Sequence, residues 1–262
     1  MMMKKIQIIL VLAIVCSPFQ QLMAWGKIGH RVIAQVAYDN LNCKARRNVD
    51  KLLGKQGIVY YANWADEIKS DTIYRNSYDW HYQDFNPGMT DSEVVATLSN
   101  YPAEGGNLFR AMDSLIDELH RNRKNVDALC FVIHLMGDRF CPMHTAHLDD
   151  LGGNKVYVEW FKQPSNMHSV WDDGLIKYRE YSYSEYAAML ENTLGSQAKQ
   201  IRQMSQEEIL LHNYELCNQI YEYHATWDKN CYKYAYHFTS QLDWQLYAAG
   251  IRLAMLLNEI YG

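Results

Sequence analysis

No two cysteines in this sequence stand at CxxC spacing, which argues against thiolate zinc sites. There is no Pro/Gly/Ser-rich linker, internal repeat or low-complexity tract. With 5 prolines and 14 glycines in 262 residues, the chain reads as one domain rather than two joined by a tether. No basic run is present either: Lys and Arg number 25 against 30 Asp and Glu, a formal net charge of −5. A duplex binder that works by neutralising phosphates displays a basic face. If this chain handles phosphates, the positive charge must come from elsewhere. The apolar run Ile6 to Cys16 is also shorter than the roughly 20 residues that span a bilayer.

That short run follows Lys4 and Lys5 and precedes Ser17 to Ala24, which is polar at first and ends in a small residue. Charged start, short apolar core and small residue at the cut are the layout of a secretory signal peptide. A retained anchor is the alternative. Residues 1–24 are therefore expected to be removed behind Ala24, leaving an exported chain, periplasmic or extracellular, that begins at Trp25. No stable membrane association is expected of it, and its oligomeric state stays open. The remaining cysteines are Cys43, Cys130, Cys141, Cys217 and Cys231. In an exported protein they predict one or two disulfides with a thiol left over, the pairing being open.

The dominant periodicity is helical. Ile28, Val32, Ile33, Val36, Ala37 and Leu41 recur at three-four spacing, predicting a helix over Gly29 to Leu41. Leu108, Met112, Leu115, Ile116 and Leu119 repeat the pattern, and Val126 to Met136 is apolar nearly all round, as in a buried central helix. Glu208 to Thr226 and Phe238 to Ile260 read as two long closing helices. Lys155 to Phe161 alternates like a strand, while Asp79 to Asp91 and Cys141 to Asn154 read as loops. The expected fold is all-α, a single multi-helix domain over residues 25–262 with a short β-hairpin or strand excursion.

Five of the ten histidines fall into patterns that metals need. His134 and Asp138 are four apart on the apolar helix, so both side chains leave the same face. His144 follows, after Pro142 breaks that helix. His168 and Asp172 repeat the i, i+4 spacing. His81 sits in Asp79-Trp80-His81-Tyr82, Asp66 in Asn63-Trp64-Ala65-Asp66, and His30 lies five residues after the expected terminus. One such pair alone is more often a satisfied core hydrogen bond than a metal site. Two pairs with flanking His and Asp do not, because burying so many ionisable groups without a cation is strongly disfavoured. Imidazole and carboxylate are what zinc accepts when thiolates are absent.

Taken together, these stretches resemble a known family, the zinc-dependent S1/P1 nucleases, related more distantly to bacterial zinc-dependent phospholipases C. The carriers are Trp25-Gly26-Lys27-Ile28-Gly29-His30, Trp64-Ala65-Asp66, Trp80-His81-Tyr82 and His134-Leu135-Met136-Gly137-Asp138. Pro142-Met143-His144, Gly152-Gly153-Asn154 and the His168/Asp172 pair complete the set. The resemblance implies three zinc ions: one on Asp66, His81 and His134, a second on His144, His168 and Asp172, and a third on His30 with the α-amino group and carbonyl oxygen of Trp25. Asp138 completes the close pair formed by the first and third ions and is able to bridge them. An α-amino group has a pKa of roughly 7.7–8.0 and must lose its proton to bind metal, so that third site needs cleavage behind Ala24.

The implied activity is hydrolysis of single-stranded DNA, RNA and 3′-nucleotides, releasing 5′-phosphate products or nucleosides. Lys69 matches a basic family residue placed to steady transition-state charge, although its position alone is equally that of a solvated lysine. Tyr82, Asp84, Gly152 and Asn154 match the base-binding positions. An aromatic face stacks any unpaired base, at roughly 1–3 kcal/mol. Two other readings use the same ligands, a zinc-dependent phospholipase C and a non-catalytic periplasmic zinc-binding protein. One departure stands out: many family members carry His-Gln where this chain has Phe140 and Cys141.

Overall fold

A computed structural model describes residues 25–262; the expected signal peptide, residues 1–24, lies outside the described residues. The fold is helical, with helices α1 (Lys27–Asp39), α2 (Cys43–Leu53), α3 (Gly57–Tyr61), α4 (Trp64–Glu67), α5 (Asp91–Asn100) and α6 (Leu108–Arg121). These are followed by α7 (Val126–Asp138), α8 (Met167–Ser169), α9 (Leu175–Tyr178), α10 (Tyr183–Leu194), α11 (Ala198–Gln203), α12 (Gln206–Ala225) and α13 (Cys231–Tyr261). One antiparallel hairpin, β1 (Tyr157–Trp160) with β2 (Gln163–Asn166), interrupts them, pairing Tyr157 with Asn166 and Trp160 with Gln163.

Local chemistry fixes several helix starts. Thr90/Glu93, Ser182/Glu185 and Ser205/Glu208 form reciprocal capping boxes at α5, α10 and α12. Asn125 caps α7 by accepting from the Ala128 N–H. From Ala128 to Asp138 every residue of α7 is buried, as its unbroken apolar pattern predicts. Each large aliphatic or aromatic side chain buried there contributes about 1.5–3 kcal/mol. The longest helix, α13, packs along α1, α7, α10 and α11. It lies against α1 at Gly250, where a Cβ would stand 2.6 Å from Val36 Cβ and 3.0 Å from the Ile33 carbonyl oxygen.

Several expectations need correction. α13 begins at Cys231, not Phe238: buried Cys231, Tyr234, Ala235 and Phe238 carry its apolar stripe two turns further back, flanked by exposed Tyr232 and Tyr236. The segment read as a loop from Asp79 starts inside a 3₁₀ stretch, Thr72–His81. The expected strand ends at Trp160, because Phe161 and Lys162 take φ of 47° and 66° and form the hairpin turn. No disulfide links the described cysteines: Cys130, Cys141, Cys217 and Cys231 are buried thiols and Cys43 is exposed. No helix among the described residues is long and apolar enough to cross a membrane.

Candidate metal centre

Four separate segments bring the ligand-type residues together under the core. His30 comes from α1, Asp66 from α4, and His134 and Asp138 from α7; His81 ends the 3₁₀ stretch before the Tyr82 loop. The ligand atoms of His30, Asp66 and His134 all lie within 4.8 Å of one another, as do those of His81, His134 and Asp138. Asp138 is the carboxylate on which all three rings converge: His81 Nδ1 is 2.9 Å and His134 Nε2 3.4 Å from its Oδ2, and His30 Nε2 is 3.4 Å from its Oδ1. His134 Nε2 and His81 Nδ1 also face Asp66 Oδ1, at 3.6 and 3.8 Å.

A second cluster joins the loop after α7 to the segment after the hairpin. His144 Nε2 lies 3.4 Å from Asp172 Oδ1, and His168 Nε2 3.2 Å from Asp172 Oδ2. The backbone between His168 and Asp172 passes from α8 into a π-helical turn, Val170–Gly174, yet the i, i+4 pair still meets. The Gly26 N–H donates to the Asp172 carbonyl at 2.6 Å, tying the start of the described chain to this cluster. Trp25 beside it is fully buried.

Three imidazoles are oriented by the main chain. The Nδ1 of His134 donates to the Ala62 carbonyl at 2.7 Å, that of His144 to the His81 carbonyl at 2.6 Å, and that of His168 to the Gly152 carbonyl at 2.8 Å. With Nδ1 occupied, each ring turns Nε2 toward the carboxylates. Those three Nε2 atoms, both ring nitrogens of His30 and Asp138 Oδ1 are buried without a hydrogen-bond partner. Orphaned buried nitrogens aimed at carboxylates are satisfied by a cation, and the imidazole–carboxylate donor set suits zinc.

Electrostatics in the chain without metal point the same way. Burial opposes charge on Asp138 and Asp172, but the surrounding imidazoles outweigh it, holding Asp138 well below the usual carboxylate range and Asp172 at about 2. Burial, then the neighbouring His30, pushes His134 down to about 3. His144 goes the other way: burial is overcome by Asp172, and its pKa rises to about 9. A proton there stands where a cation would.

The remaining expected residues divide between two cavities. Lys69, Tyr82, Asp84 and Gly152 line a small cavity of about 50 Å³ beside His144 and His168. The Lys69 Nζ lies 2.6 Å from Asp66 Oδ1. Asp84 is 7% exposed and its Oδ1 has no partner; burial lifts its carboxyl to about 7. Asn154 faces a different, larger cavity of about 850 Å³ bounded by Trp160 and Phe161, which opens on His168 and Asp172; its amide donates to the Leu151 carbonyl at 2.8 Å.

Two contacts were not anticipated from the sequence. Cys141, noted there only as a departure from the family pattern, donates its Sγ–H to Asp172 Oδ1 at 3.4 Å. Tyr221 on α12 donates to both carboxylate oxygens of Asp150 at 2.9 Å, and Asp150 Oδ1 accepts the Gly153 N–H at 2.6 Å, fixing the loop whose Gly152 carbonyl holds His168.

Fold and site together define a helical protein built around buried, cation-binding imidazole–carboxylate clusters. A family model described as S1/P1 Nuclease matches residues 25–262. Endonuclease 3 of Arabidopsis thaliana is 28% identical over 267 aligned residues, covering 91% of this chain and 90% of that protein. Endonuclease 5 of the same plant is 27% identical, covering 91% of each. Nuclease S1 of Aspergillus oryzae is 26% identical over 61% of this chain and 57% of its own length. This chain belongs to the S1/P1 nuclease family, and is therefore a hydrolase of phosphate ester bonds.

Proposed function

We propose that this protein is an exported, zinc-dependent nuclease and 3′-nucleotidase acting on single-stranded DNA, RNA and 3′-nucleotides. Residues 1–24 are its signal peptide and residues 25–262 its catalytic domain. The observation that carries the reading is the set of buried, partnerless imidazole nitrogens converging on Asp66, Asp138 and Asp172.

Three zinc ions are assigned to nine residues: Asp66, His81 and His134; His144, His168 and Asp172; Trp25 and His30; with Asp138 between the first and third ions. Bound zinc supplies Lewis acidity and positive charge toward the phosphoryl group, which resolves how an acidic chain handles an anionic substrate. The protein's own groups do the rest. Backbone carbonyls keep His134, His144 and His168 in the tautomer that presents Nε2. Lys69, anchored on Asp66, brings an ammonium beside the same cavity as Tyr82 and Asp84. Tyr82 offers a ring face for an unpaired base, and Asp84 a carboxyl that hydrogen-bonds its edge; Gly152 leaves space beside it, and Asn154 lies on the far side of the loop.

The test is turnover of single-stranded DNA, RNA, 3′-AMP and phosphatidylcholine by protein with its Trp25 terminus, with and without a zinc chelator. Chelator-sensitive release of 5′-phosphate products, or of phosphate from 3′-AMP, is expected. Hydrolysis of the lipid alone would replace the substrate assignment with a phospholipase C. Zinc binding without any turnover would leave a zinc-binding protein.

A further inference from the structure

Arg139, one residue beyond Asp138, is a buried cation with no carboxylate in direct contact; the charges acting on it are an attractive Asp113 and a repulsive Arg252. It is 6% exposed, and its Nε and Nη2 are buried without a hydrogen-bond partner. Among the described residues, the arginines within 4.0 Å of a carboxylate are Arg121 and Arg179, and Arg139 is not one of them. Its guanidinium lies 5.5 Å from the Phe109 ring centroid. A guanidinium withdrawn from water with no anion in direct contact is strongly disfavoured.

A cavity of about 80 Å³ adjoins it. Arg252 lines the same cavity, held in place by Nη1 donating to the carbonyls of Ile201, Arg202 and Met204 at 3.5, 3.4 and 2.8 Å. The first turn of α12 contributes Gln206 and Ile209 to the lining. Phe140 forms part of the apolar wall. Glu259 is the one acid among the described lining residues; its side chain is 60% exposed and 3.5 Å from His120 Nε2. None of the lining residues belongs to the metal clusters.

We propose that this cavity binds one small inorganic anion, a halide or a tetrahedral oxyanion, between Arg139 and Arg252. One water needs roughly 10–15 Å³ of such space, so about 80 Å³ has room for either anion. Guanidinium forks suit compact anions, and the mutual repulsion of two arginines lining one cavity is relieved by an anion between them. The anion joins the end of α7, the start of α12 and the last turns of α13, which are distant in sequence.

The test uses the zinc-loaded protein, with sodium chloride or sodium sulfate titrated at fixed ionic strength against a bulky sulfonate buffer anion. A saturable rise in Tm is expected, about 5–10 °C at one hundred times Kd. It should vanish in Arg139→Met and in Arg252→Met. A response to chloride alone assigns a halide, to sulfate alone an oxyanion. A crystal of the unmutated protein soaked in bromide should show an anomalous peak between the two guanidiniums, and this arm stands even if Arg139→Met does not fold. The proposal fails if the Tm response is unsaturable and identical in all three proteins, or if crystals soaked in bromide and in sulfate both show Glu259 or water in the cavity.

Discussion

His30, from α1, and His134, from α7, stack their imidazole rings with centroids 3.9 Å apart and planes 15° from parallel. Two like charges could not rest so closely, and His134 is held neutral by burial and by that neighbour. The contact exists because residue 137 is glycine: a Cβ there would stand 2.7 Å from His30 Nδ1.

Gly137→Ala therefore displaces His30 without changing a ligand. Shifts of this kind cost about 1–3 kcal/mol in a packed core, and disturbed ligand orientation weakens metal binding about 10–100-fold. The variant should keep its far-UV circular dichroism, lose zinc on dialysis and lose turnover. Unchanged zinc content would contradict the role given to His30.

Cys141 supplies a hydrogen bond to Asp172 Oδ1 from outside the imidazole pair. Cys141→Ala should weaken zinc retention at the His144/His168/Asp172 cluster by about tenfold, the lower end of what such partners contribute. Cys141→Ser keeps a donor and should retain more. Competition against a graded series of chelators gives the ranking, and indistinguishable variants would reduce Cys141 to packing.

Asp84 yields a pH prediction. Burial raises its folded pKa to about 7, above the ordinary value near 3.8. Its contribution to stability is thus present below the unfolded pKa, where the carboxyl is neutral in both states, and is lost as pH rises through 7. Asparagine carries no such penalty. In chelator-treated protein, the Tm of Asp84→Asn minus that of the unmutated chain should grow more positive from pH 4 to pH 8. A flat difference would mean that Asp84 is solvated.

Tyr221→Phe removes the hydroxyl that grips Asp150. The loss should cost about 1–2 kcal/mol of stability, and thermal unfolding would register it as a drop of a few degrees. Because Asp150 fixes the Gly153 N–H and hence the loop proposed to meet the nucleotide, KM should rise several-fold with little change in kcat. An unaltered KM would confine Tyr221 to stability.

Much of this was legible beforehand, for identifiable reasons. α6 and α7 follow from three-four spacing and from an apolar surface all round, and the His134/Asp138 and His168/Asp172 pairs follow from i, i+4 geometry. The second pair survives even though its turn is π-helical. The hairpin turn was not legible, since Phe161-Lys162 carries none of the Asn-Gly chemistry that usually marks two residues of positive φ. The disulfide expectation came from compartment alone, and spacing in sequence cannot tell which thiols approach one another. Nor could the sequence assign partners to Cys141 and Tyr221, because both contacts join segments far apart in the chain.

The carbonyl acceptors of Ala62, His81 and Gly152 have a consequence for how this centre tolerates change. An acceptor that belongs to the main chain survives replacement of the side chain that accompanies it. Point substitutions at position 62 can alter volume without deleting the partner of His134, whereas a shift in backbone path would misdirect the ring at once. Position 62 should therefore drift in side chain while its segment resists insertions and deletions, a constraint on length rather than on letter, whereas His81 and Gly152 are held to their letters too, by the ligand role proposed for the one and by the positive φ and close Met143 carbonyl at the other.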